Sequence, residues 1–161
     1  MGFTIQVEGM KELMAKLDKA PKNAEKVAAK ALYEGAGVMA DAVSQAVQGI
    51  ATEEFRYAKG GTKRLPSPEE KALVASAKHG VAKFRKTGVS VNTSVGFQNA
   101  GYGQIGNVTK PIPLIANAIN SGTSFMEKQP FMRKAFSQSK GAAEAAIAAG
   151  IQKYEKELEI G

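Results

Sequence analysis

The residue types that move protons or bind metals are scarce in this chain. It has one histidine, His79, and no cysteine. Proton transfer near neutral pH usually recruits histidine, cysteine or closely paired carboxylates. The pairs Glu53-Glu54 and Glu69-Glu70 are adjacent in sequence, so their side chains diverge instead of converging on one atom. We therefore predict no catalytic residue, no metal site and no cofactor, and a structural place for His79 near a helix end.

A glycine-rich segment from Gly96 to Gly106 is the one stretch that could suggest a phosphate-binding loop. Three of its glycines match the G-x-G-x-x-G spacing: Gly101, Gly103 and Gly106. That fingerprint also requires a helix directly after the loop, and Pro111 and Pro113 argue against one. The sequence instead predicts a flexible or close-packed turn, in which Tyr102 could be presented to a partner.

The positive charge of the chain is concentrated in its middle. The 161 residues include 22 basic and 15 acidic ones, a formal net charge of +7. The segment from Arg56 to Lys86 contains nine basic and two acidic residues, so it holds the whole excess of positive charge. It is either a solvated, lysine-rich surface or a contact for DNA or an acidic neighbouring subunit. Within a predicted mobile loop at about 51–66, the candidate contact residues are Arg56, Lys59, Lys63 and Arg64.

Periodicity in the first half of the chain predicts one strand and two helices. Alternation over Phe3 to Glu8 indicates a half-buried strand, and apolar spacing from Met10 to Lys19 indicates a short helix. A long alanine-rich helix is predicted from about Lys22 to Gln48. Its buried stripe is expected to comprise Val27, Ala31, Gly35, Val38, Met39, Ala42, Ala46 and Ile50.

The second half predicts further helices and a hairpin. Ser67-Pro68-Glu69-Glu70 has the pattern of a capped helix start, with an end near Lys78 and Gly80 as terminator. Alternation over 89–97 predicts a strand, paired with 81–84 through a turn at 86–88. After an extended entry at Pro111 and Pro113, a short helix is expected to bury Leu114, Ile115, Ala118 and Ile119 and to exit at Gly122.

The last helix is predicted to start near Pro130, with an apolar stripe at Ile147, Ile151, Tyr154 and Leu158. Helices flanking a few strands define an α+β fold, with a small antiparallel sheet packed against a long N-terminal helix and a C-terminal helix. The length fits a single domain over 1–161. No apolar run approaches the roughly 18 residues of a membrane-spanning helix, so no membrane partner is expected.

The segment from Lys110 to Phe136 resembles the neck and tail-completion proteins of tailed phages, which join tail to head. Members carry an "N-x-G-T" or "E-x-G-T" turn followed by a "Q-P-F-[ML]-x-x-A" helix start. The matching residues here are Asn120, Gly122, Thr123, Gln129, Pro130, Phe131, Met132 and Ala135. The resemblance also includes the N-terminal strand and long helix.

The resemblance implies a structural virion protein and not an enzyme. Such a subunit forms a homo-oligomeric ring, expected to be a hexamer, at the head-proximal end of the tail. Its implied partners are the tail tube protein and head–tail connector or neck proteins, with possible contact to packaged DNA. It is assembled in the host cytoplasm and located in the tail and neck region of the virion. Terminator, completion and connector positions in the neck all stay open.

Interface residues are predicted in the basic loop and in the C-terminal segment. To the four basic residues of the loop we add Tyr102, Phe125, Pro130 and Phe131. The alternative is a small basic nucleic-acid-binding protein that uses the segment from Arg56 to Lys86. That alternative lacks the aromatic platforms expected for single strands and any recognisable groove-reading helix.

Overall fold

The computed structural model describes residues 3–4, 21–54, 63–77, 80–81, 85–87, 90–97 and 100–159. The predicted helix at 10–19, His79 and the middle of the predicted loop, residues 55–62, lie outside these residues. The helices are α1 (Pro21–Gln48), α2 (Pro68–Ser76), α3 (Ile112–Ser121) and α4 (Phe131–Glu159). The strands are β1 (Phe3–Thr4), β2 (Gly80–Val81), β3 (Arg85–Thr87), β4 (Ser90–Asn92), β5 (Ser94–Gly96), β6 (Tyr102–Ile105) and β7 (Val108–Pro111).

The predicted α+β class is confirmed. The chain divides into two compact units, and each is described here by itself. Unit 1 holds Asp41–Gly80 and Phe97–Gln138, with Met1, and unit 2 holds Gly2–Ala40, Val81–Gly96 and Ser139–Gly161. The single-domain prediction stays a prediction.

Unit 2 contains the contact between the long N-terminal helix and the C-terminal helix. Gly35 of α1 lies directly against the side chain of Ile147 of α4, and Gly150 of α4 lies against Ala31 of α1. A Cβ atom on Gly150 would stand only 3.0 Å from the Ala31 Cα atom. At the edge of this contact the Tyr154 hydroxyl donates to Glu34 at 2.6 Å. Small residues on both helices therefore allow their backbones to approach closely.

The buried stripe of α1 differs in part from the predicted one. Leu32, Ala36, Met39, Val43 and Val47 are buried at spacings of four, three, four and four residues. The predicted members Val38, Ala42 and Ala46 are only half-buried. The other predicted members are buried: Val27, Ala31, Gly35, Met39 and Ile50.

The strands of unit 2 differ from the single long strand predicted over 89–97. The chain forms two strands, β4 and β5, separated at Thr93. Strand β5 pairs antiparallel with β1, with Phe3 opposite Val95, as the predicted sheet required. Strand β4 pairs instead with β3, with Arg85 opposite Asn92. The predicted turn at 86–88 is therefore wrong at Lys86 and Thr87. Both are strand residues, because the pairing of β3 with β4 extends to Thr87 and Ser90.

Unit 1 is built around α2, α3 and the first turns of α4. The predicted capping box of α2 is present, because the Ser67 hydroxyl accepts the Glu70 N–H and the Glu70 carboxylate accepts the Ser67 N–H. The helix ends at Ser76, two residues before the predicted end near Lys78, because the chain leaves it at Ala77 with extended backbone angles. Gly80 begins a strand instead of terminating this helix.

A hairpin that was not predicted lies in the glycine-rich connection of unit 1. Strands β6 and β7 pair antiparallel from Tyr102–Pro111 to Ile105–Val108. Gly106 and Asn107 form the two-residue turn, with Gly106 at φ 58°. Such a turn needs positive φ, and Gly-Asn between two strands is one of its sequence signals.

Helix α3 begins earlier than predicted and buries a different face. It starts at Ile112, so Pro113 lies in its first turn and not in an extended entry. Its buried residues include Ile112, Ile115 and Ile119, whereas Leu114 is 56% exposed. The predicted burial of Leu114 is therefore wrong. Ile112, Ile115 and Ile119 are three and four residues apart and form the buried face, so Leu114 lies outside that face.

Candidate functional site

The corner, residues 119–132, joins α3 to α4 and contains most of the residues that carry the family resemblance. The Asn120 side-chain oxygen is buried and accepts the Met132 N–H at 3.0 Å. The Ile119 carbonyl accepts the Gln129 N–H at 2.9 Å. The Thr123 hydroxyl accepts the N–H groups of Phe125 and Met126. The Asn120 and Thr123 side chains thus accept hydrogen bonds from backbone N–H groups where the chain turns.

The apolar residues of the motif close the corner from inside. Phe131, Met132 and Ala135 are all buried. The Phe131 ring meets the Phe97 ring edge-on, with centroids 6.1 Å apart and planes at 73°. Edge-to-face packing of this kind adds to the ordinary burial of an aromatic side chain. The first turn of α4 is therefore anchored in the core of unit 1.

Gly122 makes the turn at the end of α3 possible. Its backbone has φ 75° and ψ 169°, a combination that residues with a side chain rarely adopt. The Gly122 N–H still donates to the Ala118 carbonyl. The predicted exit at Gly122 is confirmed in its positive φ, although the conformation is not the left-handed helical one.

Gly122→Ala tests this geometry directly. We expect it to lower the free energy of unfolding by about 1–3 kcal/mol, because alanine strains that backbone conformation. A Cβ atom there would also lie 3.1 Å from the Lys128 Cβ atom. Chemical denaturation of the variant beside Gly141→Ala, a change in open space on a helix, measures the effect. Equal stability of the two variants would show that the turn relaxes without cost.

The clamp, Arg64 and Glu70, is an ion pair of unit 1 whose side chains are largely buried. The two Arg64 guanidinium nitrogens Nη1 and Nη2 donate to the two carboxylate oxygens of Glu70, both at 2.7 Å. Their side chains are 10% and 7% exposed. The same carboxylate closes the capping box of α2. This bidentate geometry is the strongest form of an arginine–carboxylate pair.

Opposing effects act on the Glu70 carboxyl. Burial raises its pKa, but the Arg64 hydrogen bond, the Ser67 N–H and the charges of Arg64 and Lys110 together outweigh burial. The pKa of Glu70 therefore lies below its ordinary value. In turn, the Glu70 hydrogen bond raises the pKa of Arg64. Both groups are held in their charged forms.

The clamp also aligns the segment 63–65 with the corner. The Arg64 N–H donates to the Phe125 carbonyl, and the Arg64 carbonyl accepts the Glu127 N–H. This is a parallel bridge between Arg64 and Met126, whose side chains both turn inward. Lys63 and Phe125, which precede the two bridge residues in sequence, are both exposed, Phe125 by 55%.

The hairpin presents the most exposed aromatic side chain of the described residues. Tyr102 is 74% exposed. Behind it, Gly103 packs so closely on α2 that a Cβ atom would stand 2.6 Å from Leu73. One face of the hairpin is therefore fixed on α2, and Tyr102 faces the other side.

Within the described residues, large apolar side chains are exposed mainly on unit 1. We define the exposed set as the four such residues in the described part of this unit. They are Tyr102, Val108, Leu114 and Phe125, each more than half exposed. In the described part of unit 2, Tyr33 is the one large hydrophobic residue with comparable exposure, at 44%. Scattered exposed apolar residues are common, but exposed aromatics on a rigid support are typical of contact surfaces.

The predicted interface residues fall into three groups. Arg56 and Lys59 lie outside the described residues. Lys63, Tyr102, Phe125 and Pro130 are exposed, and their role in an interface stays a prediction. Arg64 and Phe131 are turned inward, and their role in an interface likewise stays a prediction. Their side chains are occupied by Glu70 and by the core.

The basic segment contributes less free charge than its composition suggested. Besides Arg64, Lys71 is engaged internally, where its ammonium group donates to the carbonyls of Gln48 and Ile50. The described ends of the predicted mobile loop are also held, because the Glu53 N–H donates to the Pro66 carbonyl and the Glu53 carboxylate accepts the Leu65 N–H. Sequence reasoning missed these ties, since each partner is chosen by the fold.

No protein-family model, no curated protein and no solved structure matches this chain. Over the residues that the structure describes, no group of three or more His, Cys, Asp or Glu side chains is arranged to hold a metal ion. None of the helices, within those same residues, has the length and apolar character to cross a membrane.

Proposed function

We propose that this chain is a structural subunit of the neck of a tailed phage or prophage, which assembles into a ring and joins tail to head. In this proposal the chain has no catalytic role. Its partners are further copies of itself, the tail tube protein and head–tail connector proteins. The proposal places it in the tail and neck region of the virion.

The observation that supports the proposal most is the construction of the corner. Most of the motif residues that suggested the family build this one turn, as hydrogen-bond acceptors, as the turn glycine or as core anchors. The corner also holds Phe125 at the surface, where its side chain is exposed.

We assign the contact with a second copy of the chain to the exposed set. The hairpin and the corner hold Tyr102 and Phe125 on rigid supports, so little conformational entropy is lost when they bind. Aromatic residues of this kind dominate the binding energy of many interfaces. A ring requires a heterologous contact, in which this surface meets a different surface of the neighbouring copy.

The double variant Tyr102→Ala/Phe125→Ala tests this assignment. We expect native mass spectrometry to find ring oligomers of the unmodified chain at high concentration, and at least tenfold fewer of them for the variant, because two aromatic anchors are lost. Tyr33→Ala, an exposed aromatic of unit 2, is the matched control and should assemble normally. Only monomer for the unmodified chain, or equal loss in the control, contradicts the assignment.

Nucleic-acid binding remains the second proposal, with weaker support. Arg64 and Lys71 of the basic segment have internal partners, whereas Lys63 is an exposed cation and Phe125 is an exposed aromatic residue of the same unit. Fluorescence anisotropy with a single-stranded oligonucleotide at several salt concentrations distinguishes the proposals. Salt-sensitive binding that Lys63→Glu abolishes would favour this second proposal.

A further inference from the structure

Residues 49–53 follow the end of α1 without regular secondary structure. We call these five residues the strap. Gly49 and Ile50 donate to the last turn of α1. Beyond that turn, the strap is attached mainly by side chains from distant parts of the sequence.

Three ties attach the strap. The Gln129 amide pairs with both polar groups of Ala51, accepting its N–H and donating to its carbonyl, each at 2.9 Å. The Lys71 ammonium group donates to the Gln48 and Ile50 carbonyls at 2.8 and 2.9 Å. At the far end, Glu53 is tied through its N–H to Pro66 and through its carboxylate to Leu65.

We infer that the strap is a cooperative element that detaches from unit 1 as a whole while α1 stays folded. Ala51 is exposed, and Ile50 is the one strap residue in the core. Solvent-exposed hydrogen bonds with few buried apolar contacts mark segments that open locally. Since Gln129 opens the family-like helix start, this residue couples the end of α1 to the beginning of α4.

Hydrogen exchange in the full chain tests the inference with Gln129→Met, which keeps the side-chain length and removes both polar groups. We expect the Glu53 amide to exchange about tenfold faster, although its own bond to Pro66 is untouched. The Val43 amide, within α1, should keep its exchange rate. Gln138→Met, a change at an exposed position of α4, is the matched control and should alter neither amide.

Several outcomes would overturn the inference. An unchanged Glu53 amide would mean that the ties are independent of one another. Equal acceleration at Val43 would mean that the strap opens only when the fold opens. Lys71→Met removes a second tie and should reproduce the response at Glu53. If Gln129→Met and Lys71→Met both unfold the chain, the strap is part of the core and the inference fails.

Discussion

Phe131→Ala is expected to lower the free energy of unfolding by about 3–5 kcal/mol. The ring is 5% exposed and packs edge-on against Phe97, so its removal leaves a cavity in addition to the lost apolar contact. Phe131 is also the first residue of α4, so the cavity would lie at the point where the corner joins that helix. Urea denaturation followed by circular dichroism measures the loss.

Phe125→Ala is the matched control for this prediction, because it makes the same chemical change six residues earlier at a side chain that is 55% exposed. We expect it to stay within about 0.5 kcal/mol of the unmodified chain. Assembly, in contrast, should weaken in the Phe125 variant. A Phe131 variant as stable as the Phe125 variant would show that the corner is peripheral to the fold.

Glu70→Ala is expected to cost about 3–5 kcal/mol, as for other ion pairs that lose one buried partner. The variant leaves the Arg64 guanidinium with little exposure and without its carboxylate, and it removes the capping box of α2. Glu144→Ala provides the contrast, because its pair with Lys140 lies on the surface with side chains 42% and 70% exposed. That change should stay within about 0.5 kcal/mol.

The effect of Glu70→Ala should depend on pH in one direction. The pKa of Glu70 in the folded chain is below its ordinary value of 4.5, so the folded chain favours the ionised carboxyl. Its contribution is complete above the unfolded pKa and is lost as the pH falls through the lower folded pKa. The stability difference between the unmodified chain and the variant should therefore be constant at neutral pH and shrink below about pH 4.5. A difference that grows in acid would contradict the role of the ionised pair.

The clamp changes an experiment that the sequence alone would suggest. On the predicted mobile loop, reversing both Lys63 and Arg64 to glutamate would leave the fold intact. The structure pairs Arg64 with Glu70, so Arg64→Glu would place two carboxylates together in a poorly exposed site. Only Lys63→Glu is suitable for testing surface charge.

Local sequence signals predicted the elements that depend on neighbouring residues. The start of α2 follows from Ser67, Pro68 and Glu70, whose interactions span three residues. The long helices follow from alanine content and apolar spacing. The hairpin β6–β7 was not predicted, because a segment with many glycines is also typical of a loop. Gly106-Asn107 between the two strands is nevertheless a turn signal.

Contacts between distant residues could not be predicted in this way. Gln129 and Ala51 are 78 positions apart, and nothing near either residue specifies the other. The inward turn of Arg64 depends on where α2 places Glu70. The break at Thr93 likewise reflects two different partners for adjacent strands. Pairing of this kind is set by the whole fold, so composition overstated the free charge of the basic segment.

The most direct test of the central claim is to locate the chain in virus particles. Tailed particles released by cells that carry this gene would be purified and labelled with a gold-conjugated antibody against the chain, then imaged by electron microscopy. The account predicts label at the junction of head and tail, together with a constant number of copies per particle by quantitative mass spectrometry. Particles without the chain, or label on the capsid surface or the distal tail tip alone, would contradict it.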